Sequence, residues 1–203
     1  MNGRRLPTRA PEYEDLSGTR DEVLVGRALI DPADFRLLFD RYWDAVYRYC
    51  LYRLDHAEDA EDAASHIFLK IYRELPHFSS LLGSFRSWLF SITHNEVANW
   101  RRHRARHPVG SLDLAESVAD SAPDPEERAI HSIEMAEVRE VLARLSEQSR
   151  RVVELRLAGL QDTEIAVVLG TSHAAVRKAQ SRAISQLRVA MGVVMTGREV
   201  SGE

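Results

Sequence analysis

The sequence predicts an all-α protein of two small helical domains joined by a flexible acidic linker. Apolar residues recur every three or four positions through two long regions, which is the period of helices with one buried face. No stretch alternates apolar and polar residues as a half-buried strand would. Between the two regions, residues 108–133 hold three prolines and no sustained period, a pattern typical of a linker.

These patterns divide the chain into five segments. We expect a first helical domain at 20–107, the linker at 108–133 and a second helical domain at 134–191. Residues 1–19 and 192–203 are expected to be flexible tails.

The composition of the 203 residues narrows the class of protein further. A hydrophobic share of 44% is too high for a wholly disordered chain. The single cysteine, Cys50, excludes a disulfide scaffold and fits a reducing compartment. No apolar run approaches the roughly 18 residues that a membrane span needs. We therefore expect a soluble, cytoplasmic protein.

The net charge of −4, from 27 basic and 31 acidic residues, would by itself argue against a nucleic-acid partner. Its distribution changes that conclusion. Residues 108–133 hold six acidic residues and one basic residue, so the acidic excess lies almost wholly in the linker. The flanking helical regions are close to neutral or slightly basic, and a nucleic-acid partner remains open.

Two long amphipathic helices are predicted at 35–54 and 57–75. The first helix aligns one apolar face of Phe35, Leu38, Phe39, Tyr42, Val46, Tyr49 and Cys50. The second helix aligns Ala60, Ala63, Ala64, Ile67, Phe68, Ile71, Tyr72 and Leu75. Both stripes have the width of a core-facing surface.

A third helix is predicted to begin at Ser84, which is a favourable N-cap. Its apolar face consists of Phe85, Trp88, Leu89 and Ile92. Three polar residues follow at intervals of four and three: Asn95, Asn99 and Arg102. The helix ends in residues 100–107, which hold four arginines. A basic helix end can be merely solvated and complement the helix dipole, but the nearby amides and Trp100 favour contact with nucleic acid.

The second half predicts helices at 134–145 and 147–158, with Ser146 as an N-cap and Gly159 as the stop. Residues 162–188 then have the spacing of a helix-turn-helix. The positions that fix its crossing are Ile165, Ala166, Leu169, Gly170, Ser172, Val176, Ala179, Ala183 and Leu187. The opposite face of the last helix is polar and basic. The alternative is a plain helical hairpin with a solvated basic face, but the spacing favours binding to duplex DNA.

Taken together, these blocks resemble one family. In chain order they are DEVLVGRAL, FRLLFDRYWDAVYRY, AEDAEDAASHIFLKIYREL, SFRSWLFSITHNEVANWRRHRAR and LARLSEQSRRVVELRLAGLQDTEIAVVLGTSHAAVRKAQSRAISQLR. The chain is similar over about 21–107 and 134–190 to bacterial RNA polymerase sigma factors of the sigma-70 family, in the extracytoplasmic-function (ECF) group. The resemblance implies sigma region 2, sigma region 4 and two partners, core RNA polymerase and promoter DNA (duplex and melted non-template strand), with an anti-sigma protein as a candidate third partner.

The resemblance also implies roles for individual residues. Polymerase binding falls to Glu61, Asp62, Ser65 and His66, of which the last two stand where the family usually has Gln and Glu. Reading of the −10 element falls to Asn95, Asn99, Trp100, Arg101, Arg102 and Arg104. Reading of the −35 element falls to Ser172, His173, Arg177, Lys178 and Arg182. Gln161 stands where the family favours a Ser cap, so Asp162 or Thr163 is expected to cap that helix instead.

Other functions find less support in the sequence. There is no P-loop, nucleophile elbow or recognisable pair of catalytic carboxylates, so we expect neither an enzyme nor a cofactor. His103 and His107 lack a third ligand and lie among arginines, which disfavours a metal site. Two alternatives remain: a free-standing helix-turn-helix regulator and a helical protein-binding adaptor. For the linker, we expect its acidic residues Asp113, Glu116, Asp120 and Asp124 to mimic nucleic acid in the polymerase cleft.

Overall fold

The computed structural model describes residues 18–106 and 137–198, and its regular elements are all helical. The α-helices are α1 (Asp21–Ile30), α2 (Phe35–Arg53), α3 (Ala57–Glu74), α4 (Phe85–Arg106), α5 (residues 137–143), α6 (Glu147–Leu157), α7 (Asp162–Val168) and α8 (His173–Arg198). No strand occurs within these ranges, so the all-α prediction is confirmed. The predicted linker and its four acidic residues lie outside the described residues. α8 continues to Arg198, so residue 192, predicted as the start of a tail, is not a helix end.

Three of the helix starts are capped by the serines that the sequence indicated. The backbone N–H of Ser87 donates to Ser84 Oγ at 3.1 Å, and that of Ala175 donates to Ser172 Oγ at 3.2 Å. Ser146 Oγ caps α6 in the same way, at 3.4 Å from the nitrogen of the third helical residue. Each bond satisfies a donor that the first helical turn would otherwise leave unpaired.

The start of α7 differs from the prediction. Gln161 is the N-cap residue, and its backbone N–H donates to the Glu164 carboxylate at 2.8 Å. Capping by Asp162 or Thr163 is therefore wrong, because the helix already begins at Asp162. The Asp162 carboxylate instead accepts hydrogen bonds from Arg156 and Gln180.

The helix α1 precedes the first helix that the sequence patterns predict. It buries Leu24, Val25 and Ala28 against α2. Its first residue, Asp21, accepts a hydrogen bond from Arg41 at 2.8 Å and one from the Tyr42 hydroxyl at 2.5 Å. Burial raises the pKa of Tyr42, so the phenol stays protonated and donates. These bonds attach α1 to the first helical half.

The core of the first half is formed by α2, α3 and α4. The predicted stripes of α2 and α3 supply most of it, and α4 adds Phe85, Leu89 and Phe90. The prediction that Tyr72 belongs to the core is wrong, because its side chain is 42% exposed. It lies at the margin of the α3 stripe, where the ring of Phe35 contacts it edge-on at a centroid distance of 5.1 Å.

The two halves pack against each other through α2 with α6 and α4 with α7. Polar contacts cross the boundary: Arg139 Nη1 donates to the carbonyls of Leu51 and Leu54 at 3.0 and 3.2 Å, and Ser84 Oγ donates to Glu164 at 3.1 Å. The periodicity of the sequence predicted two domains but did not predict this contact between them.

Gly159 meets two requirements in the turn between α6 and α7. Its φ of +90° lies in the left-handed region that favours glycine. A Cβ at this position would also lie 3.0 Å from Nη2 of Arg86, a residue of α4. The sequence predicted the helix stop but not the close approach of the first half.

Candidate nucleic-acid interface

The helix-turn-helix forms as the sequence predicted. Gly170, with φ +59°, makes the turn between α7 and α8. Val176, Ala179 and Ala183 of α8 are buried, and Ser149 Oγ of α6 donates to the Ala179 carbonyl at 3.3 Å. The candidate −35 residues are exposed and lie at or near the N-terminal end of α8: Ser172, His173, Arg177, Lys178 and Arg182.

Two of these side chains lie beside polar groups with which the sequence did not pair them. Arg182 Nη2 donates to Gln148 Oε1 of α6 at 2.8 Å. His173 Nε2 lies 3.6 Å from an oxygen of Asp162. The distance along the chain, 34 residues for Arg182 and Gln148, explains why no local pattern could reveal that pair.

The six candidate −10 residues lie on α4 but do not form one face. At 100° per residue, Asn95, Asn99 and Arg102 share one side of the helix, and Trp100, Arg101 and Arg104 lie on another. The six predicted residues are therefore divided between two sides of α4, with three residues on each side.

The second side is partly engaged within the protein. Arg104 donates to the Asp59 carboxylate at the start of α3, which raises the pKa of the guanidinium. Trp100 is half-buried against the core, and its indole Nε1 has no acceptor among the described residues. Trp88, the other tryptophan of α4, packs with Phe78 and Phe85 at centroid distances of 5.4 and 5.6 Å, so it belongs to the core.

Next to the first side, one turn before Asn99, lies an acidic residue that the sequence did not single out. Glu96 accepts a hydrogen bond from Lys70 Nζ of α3 at 2.8 Å and one from Asn99 Nδ2 at 3.4 Å. His66 Nε2 lies 3.8 Å from the same carboxylate. Glu96 could have been identified from the sequence because it precedes Asn99 by three residues, and side chains with this spacing are neighbours on a helix.

The candidate polymerase-binding residues all lie on the outer face of α3. Glu61, Asp62, Ser65 and His66 are exposed. The face continues along the helix into two large apolar side chains, Leu69 and Tyr72, which are 57% and 42% exposed. A patch that joins carboxylates to exposed apolar residues has the chemistry of a protein-binding surface.

A cavity of about 700 Å³ opens between α4 and the helix-turn-helix. Among its lining residues are His94, Asn95, Arg151, Gly170 and Val176. The Tyr49 hydroxyl and His94 Nδ1 share a hydrogen bond of 2.7 Å, and burial raises the pKa of Tyr49. Burial, together with the positive charges of Arg53 and Arg151, lowers the pKa of His94 to about 4, and the imidazole is neutral at neutral pH.

Neither a metal centre nor a reactive thiol is indicated. Across residues 18–106 and 137–198, no three His, Cys, Asp or Glu side chains cluster closely enough to hold a metal ion. Cys50 is buried, and burial raises the pKa of its thiol, which disfavours the nucleophilic thiolate. In the described part of the chain, no helix has the length and apolar character of a membrane span.

The two halves coincide with two known domains of transcription initiation factors. The family profile of sigma-70 region 2 matches residues 38–107, and that of sigma-70 region 4 matches residues 135–187. The fold and the two nucleic-acid candidate helices therefore define a promoter-recognition subunit of RNA polymerase.

Similar proteins narrow this class. The chain is 35% identical over 178 residues to the ECF RNA polymerase sigma factor BldN of Streptomyces coelicolor, covering 85% of this chain and 66% of that protein. It is 36% identical over 151 residues to the ECF sigma factor ShbA of Streptomyces griseus, covering 70% and 78%. The structure of CnrH, solved with the cytosolic domain of CnrY, has the same fold, with a TM-score of 0.66, 24% identity and coverage of 85% and 97%. The chain belongs to the sigma-70 family, and within it to the ECF sigma factors.

Proposed function

We propose that this protein acts as a dissociable specificity subunit that binds core RNA polymerase, reads two separate promoter elements and assists DNA melting. The observation that carries the proposal is that a single chain holds an exposed basic helix-turn-helix and a second, separate helix rich in amides and arginines. One is the duplex-reading helix-turn-helix of α7 and α8, and the other is the amide and arginine helix α4. A regulator that binds only duplex DNA has no need of the second surface.

The −35 element is read in the major groove by the start of α8. The proposed contacts are Ser172, His173, Arg177, Lys178 and Arg182. Arginine pairs bidentately with guanine, and the remaining basic side chains neutralise phosphates. The exposure of this face and the absence of acidic residues between 171 and 191 support the assignment.

The −10 element is captured as a single strand by α4. The proposed contacts are Asn95, Asn99, Trp100, Arg101, Arg102 and Arg104. The division of α4 into two sides supports two tasks, with Asn95, Asn99 and Arg102 at base edges and the remaining three along the backbone. Unpairing costs only a few kcal/mol per step, which base capture offsets.

Core polymerase is proposed to bind α3 through Glu61, Asp62, Ser65 and His66, with Leu69 and Tyr72 adding apolar contact. We place the functional domains at 20–107 and 134–191, separated by the linker 108–133. The chain itself catalyses no reaction, needs no cofactor and acts in the cytoplasm, where polymerase and promoter meet.

An anti-sigma protein is proposed as a further partner. RpoE of Bartonella quintana, whose fold is similar with a TM-score of 0.58, was solved with the anti-sigma factor NepR. Pull-down of a tagged chain from its own organism, with and without competing core polymerase, tests whether such a partner occupies the polymerase-binding face.

Run-off transcription with purified core polymerase on a promoter library tests the proposed function. We expect promoter-dependent transcripts only when the protein is added. A protein that binds duplex DNA without polymerase, and yields no transcript with it, would instead be the free-standing regulator. The variant Asn99→Ala should impair promoter opening more than initial promoter binding, and equal loss in both would contradict a single-strand role.

A further inference from the structure

The Asn99 side chain lies between a negative and a positive group on the exposed side of α4. Its Nδ2 donates to Glu96 Oε1 at 3.4 Å, one turn before it. Its Oδ1 accepts a hydrogen bond from Arg102 Nη2, one turn after it. The amide is thus held from both ends by residues of its own helix.

Glu96 is itself fixed by the neighbouring helix. Its side chain is only 14% exposed, and its carboxylate accepts the 2.8 Å hydrogen bond from Lys70 of α3. Because its side chain is mostly buried and accepts a hydrogen bond from Lys70, Glu96 has few alternative positions and keeps its acceptor oxygens beside Asn99.

An amide that is rotated by 180° exchanges its donor and acceptor atoms, so its orientation decides what it offers to a base. A carboxylate on one side and a guanidinium on the other permit only one orientation, with nitrogen toward Glu96 and oxygen toward Arg102. We propose that Glu96 is a positioning residue that fixes the Asn99 amide and thereby determines which base the −10-reading helix accepts. This inference rests on the proposed function, specifically on Asn99 reading a base.

α4 contains a matched control for this arrangement. Asn95 lies one turn earlier on the same side of the helix, but the residues three positions before and after it are Ile92 and Ala98. Neither can orient an amide by charge. The preference for one base at the position read by Asn95 should therefore not change when Glu96 is replaced.

The test uses holoenzyme reconstituted from core polymerase and the full chain, with promoter DNAs that carry each of the four bases at every −10 position. Open-complex formation is measured by the fluorescence of a 2-aminopurine reporter downstream. For the wild-type chain we expect a preference of about tenfold at the position read by Asn99. In Glu96→Gln, whose neutral side chain no longer dictates the orientation, that preference should fall to about twofold or less, with the other positions unchanged.

Three further variants separate positioning from a general structural role. Lys70→Ala removes the lysine that holds the Glu96 carboxylate but leaves that carboxylate beside Asn99, so the preference should fall by less than in Glu96→Gln. Asn99→Ala should abolish the preference, and adding Glu96→Gln to Asn99→Ala should cause no further change. Thermal unfolding of each variant monitors folding.

Several results would overturn the inference. They are a full tenfold preference in Glu96→Gln, an equal loss in Lys70→Ala, or a change at the position read by Asn95 instead. Failure of the wild-type holoenzyme to select promoters at all would instead reject the proposed function, so the two failures are distinguishable.

Discussion

Arg53 Nη1 of α2 donates a 2.9 Å hydrogen bond to Glu154 Oε2 of α6, and the side chains are only 5% and 1% exposed. This buried ion pair joins residues 101 positions apart and lies at the contact between the two halves of the chain. Each charge is stabilised there chiefly by the other, since an unpaired charge in such a site is strongly unfavourable and the next partners, Glu147 and Arg150, lie 3.8 and 3.9 Å away.

Replacing Arg53 with Met should lower the free energy of unfolding by about 3–5 kcal/mol at neutral pH, because it leaves the Glu154 carboxylate buried with only the more distant Arg150. Urea unfolding monitored by circular dichroism measures the change. The control is Arg36→Met, because Arg36 forms an ion pair with Asp40 in which both side chains are exposed. For this variant we expect the free energy of unfolding to fall by no more than about 1 kcal/mol.

The stability deficit of Arg53→Met should also depend on pH. Burial raises the pKa of Glu154, and Arg53 opposes that rise. Without Arg53 the folded-state pKa lies further above the unfolded value of about 4.3. A raised carboxyl pKa gives stability that is present at low pH and is lost as pH rises through the folded-state pKa. The deficit should therefore be small near about pH 5 and larger near about pH 8, and a deficit independent of pH would contradict this assignment.

Gly159→Ala should destabilise the protein by about 1–3 kcal/mol, because alanine strains the backbone at φ +90° and its Cβ meets Arg86. Gly26→Ala is the matched control, since it lies within α1 and a Cβ there meets nothing within 4 Å. We expect that control to gain about 0.5–1 kcal/mol from helix propensity. Differential scanning calorimetry on both variants provides the comparison, and equal effects at the two glycines would contradict it.

Acid should destabilise the protein partly through His94. Burial lowers the pKa of His94 to about 4, below an unfolded value of about 6.5. The unfolded state then binds more protons in this window, so the stability contributed above pH 6.5 is lost as pH falls toward 4. In His94→Asn the dependence of the unfolding free energy on pH should be weaker over this interval.

The titration of His94 can also be followed directly by NMR. Tyr49→Phe is the informative control, because it removes the 2.7 Å hydrogen bond but keeps the burial that is the main cause of the shift. The pKa of His94 should stay well below its ordinary value in that variant. A value near 6.5 in the wild-type protein would show that the imidazole is not enclosed between the two halves.

Arg182→Ala should weaken binding to the upstream promoter duplex by about 1–3 kcal/mol while leaving association with polymerase unchanged. Gln148→Ala should weaken duplex binding less, since it removes only the side chain that holds Arg182 at 2.8 Å. Fluorescence anisotropy at one fixed salt concentration measures both effects. Loss of polymerase binding by Arg182→Ala would contradict the division of tasks between α3 and α8.

Residues close in sequence determined much of the fold. The serine caps at Ser84, Ser146 and Ser172, the stop at Gly159 and the buried stripe of α8 each depend on contacts within about one helical turn. Since helix caps and helical faces are short-range properties, the sequence by itself was sufficient to predict the helix-turn-helix and the helices of both halves other than α1.

Tertiary structure decided the contacts on which the detailed chemistry depends. Nothing in the sequence distinguishes Arg53 from a solvated arginine at a helix end, or Glu96 from a solvated glutamate, until Glu154 and Lys70 are brought beside them. The exposure of Tyr72 was likewise set by how much of α3 is covered by α2. A local pattern records which side of a helix is apolar, but the partner of a charge depends on how helices from distant parts of the chain pack together.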